Sequence, residues 1–153
     1  MPDPQSTVDI LFQQVRIFTG LNSKALKFLA DHAQELHFNA LDVVVQEGDL
    51  GDRLFIVQQG EVRACRNFAK PGEKELARLT SGECFGEMCI LDTLPRSATI
   101  QAIRNSQLFS IDTITLYEFH LHHPSQFSVL LINLARELSS RLRELDKAFA
   151  ALH

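Results

Sequence analysis

The chain has 153 residues, of which 45% are hydrophobic, and this length suffices for one domain with a sizeable core. Its net charge of -4 argues against the basic stripe that nucleic-acid binding requires, and no run of about 18 apolar residues could cross a membrane. The N-terminus carries no basic region followed by an apolar core, so we expect a cytoplasmic protein without a direct nucleic-acid or membrane partner.

Residues 1–35 are predicted to form a helical entry to the domain. Apolar side chains recur at helical spacing over residues 8–15 and again over residues 23–33. Asn22 or Ser23 is placed to cap the second helix, because a short polar side chain can accept a hydrogen bond from a free N–H group of the first turn.

Residues 36–112 change to short apolar or alternating runs, separated by glycines and by turns rich in Asn and Asp. Six of these runs are predicted strands: residues 43–45, 54–57, 62–64, 76–79, 98–103 and 108–111. Many short strands at this spacing indicate a mainly β fold, an antiparallel jelly-roll barrel of about eight strands.

Residues 113–153 return to a helical period. A first helix is predicted to about residue 121, and a long helix follows with Pro124 at its first position. Apolar residues of the long helix follow one another in steps of four and three, which is a heptad seam. The seam consists of Leu131, Ala135, Leu138, Leu142, Leu145, Phe149 and Leu152.

The seam predicts a parallel homodimer through the long helix. Arg141 and Asp146 lie on flanking positions, where two partner helices could bring opposite charges together. The alternative is that the stripe packs against the chain's own barrel. Leu130, Ile132 and Leu134 add apolar surface, so part of the helix is expected to pack in this way.

Residues 85–100 read FGEMCILDTLPRSATI, an order of glycine, carboxylate and arginine that suits binding of a sugar phosphate. Gly86 lets the backbone approach a ligand, and the next residues can form one helical turn whose free N–H groups attract an anion. The turn-forming residues 92–95 bring the chain back to Arg96, whose planar fork can hold two phosphate oxygens. Ser97 adds a hydroxyl donor beside it.

Glu87 needs a different part of the ligand. A carboxylate repels phosphate and only accepts hydrogen bonds, so it requires a donor such as a ribose 2'-hydroxyl. This favours a 3',5'-cyclic nucleotide over a 2',3'-cyclic one. A Walker loop is excluded because no Gly-Lys-Ser/Thr ending is present. Structural ion pairing of Arg96 with Glu87 or Asp92 is the alternative, disfavoured because isolated pairs stabilise little.

Residues 85–100 resemble the phosphate-binding cassette of the cyclic-nucleotide-binding domain family, which includes catabolite activators, kinase regulatory subunits and cyclic-nucleotide-gated channels. Residues 48–60, GDLGDRLFIVQQG, resemble the glycine-punctuated strands that precede that cassette. The resemblance covers roughly the whole chain and implies a single domain over residues 1–153 with a β-roll. We call residues 85–100 the cassette.

The resemblance implies that Glu87 accepts the ribose 2'-hydroxyl and that Arg96 pairs with the cyclic phosphate. Backbone N–H groups near Met88, Cys89, Ser97 and Ala98 would complete the phosphate site. The predicted ligand-binding residues are Leu79, Gly86, Glu87, Met88, Cys89, Arg96, Ser97, Ala98, Arg141 and Leu142. The expected ligand is cAMP or cGMP, and no cofactor is expected.

The long helix bears on which base is bound. In the catabolite activators, hydroxyl side chains of this helix contact adenine, and the resemblance places Arg141 and Leu142 at those positions. Leu142 could cover the purine and Arg141 could stack on it through a cation–π contact. Ser97 suits either the phosphate or a guanine amino group. We therefore predict cAMP, with cGMP as the alternative.

The predicted function is signalling by binding and not catalysis, since the Gly-x-Ser-x-Gly, His-Glu-x-x-His and Cys-x-x-Cys motifs are absent. The resemblance implies that a ligand orders the cassette and moves the long helix onto the pocket, changing the surface offered to an unidentified protein effector. The chain shows no helix-turn-helix domain and no Arg-Arg-x-Ser/Ala inhibitor sequence. We expect the responding element to be another chain or a part not present here.

Two other functional classes stay open. A cupin-type metalloenzyme would need a His-x-His pair inside the barrel, whereas His120 and His122 follow it. A ligand-free dimerisation module could share the fold, although Glu87 and Arg96 argue against it.

The three cysteines are odd in number and scattered, which favours reduced thiols over a disulfide framework. Cys89 is interpreted as a small residue that lets the backbone approach phosphate, and a redox-sensitive thiol with a lowered pKa is the alternative.

Overall fold

The computed structural model describes the backbone of residues 4–152 and the side chains of residues 8–152, so residues 1–3 and 153 of the predicted domain lie outside the described residues. Helix α1 spans Pro4–Gln14, a 3-10 turn spans Arg16–Phe18 and helix α2 spans Ser23–His32. The Asn22 side chain accepts a hydrogen bond from the Ala25 N–H at 2.9 Å. The predicted cap of α2 is therefore Asn22.

The described residues form eight strands in two antiparallel four-stranded sheets. The strands are β1 (Gln34–Phe38), β2 (Val43–Val45), β3 (Arg53–Gln59), β4 (Val62–Arg66), β5 (Lys74–Leu79), β6 (Cys84–Phe85), β7 (Thr99–Ala102) and β8 (Ser106–Asp112). One sheet has the order β1-β8-β3-β6 and the other β2-β7-β4-β5. This confirms the mainly β antiparallel roll, and each of the six predicted runs overlaps a strand.

Two strands have no counterpart among the predicted runs. β1 begins at Gln34, two residues before the predicted start of the roll, and all of its residues are exposed or half-buried. β6 has only two residues, both buried. Neither segment offers enough alternation of apolar and polar residues to give a strand signal.

Strand β3 separates two apolar cores, because successive side chains of a strand point to opposite faces. Leu54 and Ile56 pack with the helices, whereas Phe55 and Val57 pack between the two sheets. All four are buried, so β3 is covered on both faces. The inner face of β3 therefore packs in the core between the two sheets, and its outer face packs against the helices.

Two C-terminal helices follow, α3 (Thr113–His122) and α4 (Pro124–Leu152). Leu130 and Leu134 of α4 are fully buried in the helical core, where each contributes about 1.5 to 3 kcal/mol by leaving water. From residue 139 to residue 152 every side chain of α4 is exposed. The first half of α4 is therefore packed into the body. The second half, residues 139–152, is called the projecting half; it is exposed and meets the body through polar side chains that include Arg141. Among the described helices, none is both long and apolar enough to span a membrane.

Asp112 caps α3 and makes its stability depend on pH. The carboxylate accepts a hydrogen bond from the Thr115 N–H at 2.7 Å, which lowers the pKa of Asp112 below its ordinary value. A lowered folded-state pKa gives stability that is present above the unfolded-state pKa of about 3.9 and is lost as the pH falls through the folded-state value.

Asp112→Asn keeps an acceptor but removes the charge at the helix start. We expect the variant to lose about 0.3 to 1 kcal/mol of unfolding free energy at pH 7, and this difference from the parent should narrow below about pH 4. Denaturant unfolding at pH 7 and pH 3 measures it, with Asp146→Asn on the exposed part of α4 as the control. A difference that stays constant across this range would contradict the prediction.

Candidate functional site

A cavity of about 920 Å³ lies between the roll and α4, within the range of roughly 300 to 1000 Å³ typical of ligand pockets. Its walls come from β5, β6, the cassette and one face of α4. The structure brings nine of the ten predicted ligand-binding residues to this cavity: Leu79, Gly86, Glu87, Met88, Cys89, Arg96, Ser97, Ala98 and Arg141.

Glu87 begins the 3-10 turn Glu87–Ile90 in the wall of the cavity. The turn is preceded by Gly86, whose φ of 80° lies in the left-handed region that favours glycine. Glu87 is only 3% exposed, and its Oε1 accepts a hydrogen bond from Arg141 Nη1 at 2.6 Å. A buried carboxylate is costly without a partner, and Arg141 provides the partner from α4, 54 positions away in sequence. This ion pair fastens α4 to the cassette.

Arg141 also contacts a second carboxylate. Its Nη2 donates to Glu137 Oε1 at 3.0 Å, one turn earlier on α4. Burial alone would lower the pKa of Arg141, but the charges of Glu87 and Glu137 outweigh this effect and raise it. The Oε2 atom of Glu137 is buried and has no hydrogen-bond partner among the described residues. Arg141 thus bridges two carboxylates on one side of the cavity, an arrangement that the sequence did not predict.

Arg96 is held by the segment that precedes the cassette. Its N–H donates to Asp49 O at 2.7 Å, and its carbonyl oxygen accepts from the Gly48 N–H at 2.9 Å. The guanidinium donates through Nη2 to Arg53 O at 3.1 Å and lies 5.7 Å from the centroid of the Phe55 ring. The backbone and the side chain of Arg96 are therefore both held in place by contacts within the chain, without a ligand.

Arg96 and Glu87 of the cassette line the same cavity but do not form an ion pair with each other. In the described part of the chain, Glu87 pairs with Arg141 and Arg96 makes no ion pair with Glu87 or Asp92. The structure therefore does not support the alternative in which Arg96 serves as a structural partner for those two carboxylates. The remaining N–H groups of its fork stay available to an anion.

The structure does not bring Leu142 to the cavity. This side chain is 61% exposed on α4 and is absent from the cavity lining, because it lies on a different face of the helix from Arg141. The face of α4 that lines the cavity carries Asn133, Arg136, Glu137, Ser140, Arg141 and Glu144. Of these six residues, the sequence analysis predicted only Arg141. The other five lie three or four positions apart on the same helix face as Arg141, so the helical period could have identified them from that one residue.

Within the described residues, the cysteines and histidines offer no sign of redox or metal chemistry. Burial raises the pKa of the Cys89 thiol to about 11, which overturns the alternative of a low-pKa redox thiol. All three cysteines are free thiols. His120 is exposed on α3, where its ring packs at 4.8 Å from the Phe127 ring. No group of three or more His, Cys, Asp or Glu side chains within residues 8–152 could hold a metal ion.

Comparison with known proteins gives a consistent set of relatives. The family model for the cyclic nucleotide-binding domain matches residues 35–123. The cyclic AMP receptor protein of Thermus thermophilus is 32% identical over 130 residues, which are 85% of this chain and 58% of that protein.

Solved structures agree with this match. The catabolite activator protein of Thermus thermophilus has a TM-score of 0.78 at 31% identity, covering 90% of this chain and 62% of that one. The regulatory domain of Toxoplasma gondii PKA, crystallised with cAMP, has a TM-score of 0.71 at 26% identity, covering 78% of this chain and 46% of that one. The chain spans less than two thirds of each of these proteins. The family match, these relatives and the eight-stranded roll show that the chain belongs to the cyclic nucleotide-binding domain family.

Proposed function

We propose that this chain is a cyclic-nucleotide sensor of the cytoplasm that binds cAMP, catalyses no reaction and signals to a protein effector through α4. The observation that carries the proposal is that Glu87 and Arg96 line one cavity that α4 closes through Arg141. The names of the relatives, a cyclic AMP receptor and a PKA regulatory domain crystallised with cAMP, support the choice of ligand. The three free thiols suit a reducing compartment.

Arg96 and Glu87 of the cassette would bind different parts of the ligand. The fork of Arg96 would pair with the charged oxygens of the cyclic phosphate, with N–H groups near Met88, Cys89, Ser97 and Ala98 around it. Glu87 would accept the ribose 2'-hydroxyl, which a 3',5'-cyclic nucleotide leaves free. Leu79, Phe85 and Ile100 give the cavity an apolar wall for the base and sugar.

Signalling would follow from competition for Glu87. The ribose and Arg141 both direct donors at the same carboxylate, so an incoming ligand changes the ion pair that fastens α4 to the cassette. A ligand that binds the two positions of α4 with different affinity shifts their populations. The projecting half of α4 would carry this change to a second copy of the chain and to the effector.

Calorimetric titration with cAMP, cGMP and 2'-deoxy-cAMP tests the proposal. We expect cAMP to bind and 2'-deoxy-cAMP to bind about 10- to 150-fold more weakly, because a hydrogen bond to a buried charge is worth about 1.5 to 3 kcal/mol. In Glu87→Gln the difference between these two ligands should shrink, because the charged acceptor is gone. Glu144→Gln removes a charge from the same cavity wall and should leave the difference unchanged.

The titration also separates the remaining alternatives. Stronger binding of cGMP than of cAMP would keep the sensor and change its base. Absence of binding by both would contradict the proposal and favour a ligand-free dimerisation module, in which Arg141 permanently occupies Glu87.

A further inference from the structure

Gly51 differs from the other glycines of the chain. Six of the seven glycines have positive φ values, and Gly51 is the exception. Its backbone conformation therefore gives no reason to prefer glycine over other residues. The absence of a side chain at this position needs another explanation.

The space beside Gly51 is filled by the guanidinium of Arg96. A Cβ atom at Gly51 would lie 2.8 Å from Arg96 Nε, 2.9 Å from Cζ and 3.3 Å from Cδ. A Cβ atom at Gly86 would lie 2.5 Å from Nη1 of the same group. The third nitrogen, Nη2, donates to Arg53 O. Each nitrogen of the fork is thus located by a different part of the chain.

We infer that Gly51 is a positioning residue for Arg96: by lacking a side chain, it leaves the space in which the guanidinium lies and so sets the fork at the phosphate end of the cavity. A methyl group at residue 51 meets the end of a flexible side chain and not the backbone. The arginine would therefore move while the fold stays intact. The effect on phosphate binding rests on the proposed function, but the contact between Gly51 and Arg96 exists without a ligand.

Affinity measurements on the full chain test this through the coupling of the two residues. We expect Gly51→Ala to weaken cAMP binding roughly tenfold, within the range seen for coupled neighbours, and Gly51→Val to weaken it further. In an Arg96→Ala background, which has no side-chain atoms at the crowded position, Gly51→Ala should change the remaining affinity by less than about twofold. An equal loss in both backgrounds would overturn the inference, because the effect would then not pass through the guanidinium.

A second measurement needs no nucleotide. The NMR signal of the Arg96 Nε–H group should shift in Gly51→Ala, while thermal unfolding stays close to that of the parent. Gly72→Ala is the control: its φ is 85° and a Cβ there would meet Asn67 Nδ2 at 3.9 Å, an ordinary contact far from Arg96 in sequence, so the variant should lower stability but leave the Arg96 signal and the affinity unchanged. An unchanged Arg96 signal in Gly51→Ala would overturn the inference. If the parent bound neither cAMP nor cGMP, the proposed function would fail, and this signal would still decide the role of Gly51.

Discussion

Replacing Arg96 with alanine should weaken cyclic-nucleotide binding by about 2 to 4 kcal/mol, or roughly 30- to 900-fold. The reason is that a desolvated phosphate charge loses its bidentate partner in a cavity where water cannot fully replace it. Arg96→Lys should lie between the alanine variant and the parent, because lysine keeps the charge but not the planar fork. Calorimetric titration measures all three proteins.

A charge-matched control separates this effect from a general loss of positive charge. Arg78 also lines the cavity, but it is 55% exposed and pairs with Glu75 on the edge strand β5, so Arg78→Ala should change affinity little. Arg96→Ala also removes the hydrogen bond to Arg53 O, and thermal unfolding of the variant reports whether the cassette still folds. A folded Arg96→Ala protein with the affinity of the parent would remove Arg96 from the phosphate site.

The order of helices and strands could be predicted because local signals mark most elements. Asn22 and Pro124 mark helix starts, and β-branched or alternating runs mark six of the eight strands. β6 was missed because two residues form no pattern, although its pairing with β3 places the cassette at the cavity. That pairing joins distant parts of the chain and leaves no local trace.

Most residues of the candidate site could be predicted from the sequence, but the contacts among them could not. The cassette supplies Glu87 and Arg96 within ten positions, so their proximity could be read from the sequence. The bond from Arg141 to Glu87 spans 54 positions and depends on the direction in which α4 leaves the body. Gly51 could be interpreted only as a turn glycine, because nothing in a sequence shows the arginine that lies against it.

The projecting half of α4 indicates where a second copy of the chain would bind. Leu142, Leu145 and Leu152 are 61%, 66% and 81% exposed, respectively, and they continue the seam beyond Leu138, which packs against the body. The helix is about 44 Å long, and its exposed part, residues 139–152, has a length at which an isolated helix is only marginally stable in water, roughly 12 to 15 residues. Packing of this half against a parallel copy would bury the seam and stabilise the helix. The structure explains the two interpretations of the stripe: Leu130 and Leu134 are buried inside the chain, whereas Leu142, Leu145 and Leu152 are exposed.

Leu145→Glu should therefore convert a dimer into a monomer, because it places like charges opposite each other at the centre of the exposed seam. Ala150→Glu introduces the same charge at a position of α4 that does not belong to the seam, and it should leave the dimer intact. Sedimentation of both variants and the parent, with and without cAMP, measures the change.

The predicted pairing of Arg141 with Asp146 of a second copy competes with contacts inside one chain, because Arg141 is already paired with Glu87 and Glu137. If a ligand releases Arg141 from Glu87, the dimer should tighten when cAMP is added, and Asp146→Asn should reduce that gain. A parent chain that sediments as a monomer at all concentrations, with or without cAMP, would contradict the dimer and leave α4 as a surface for a different partner.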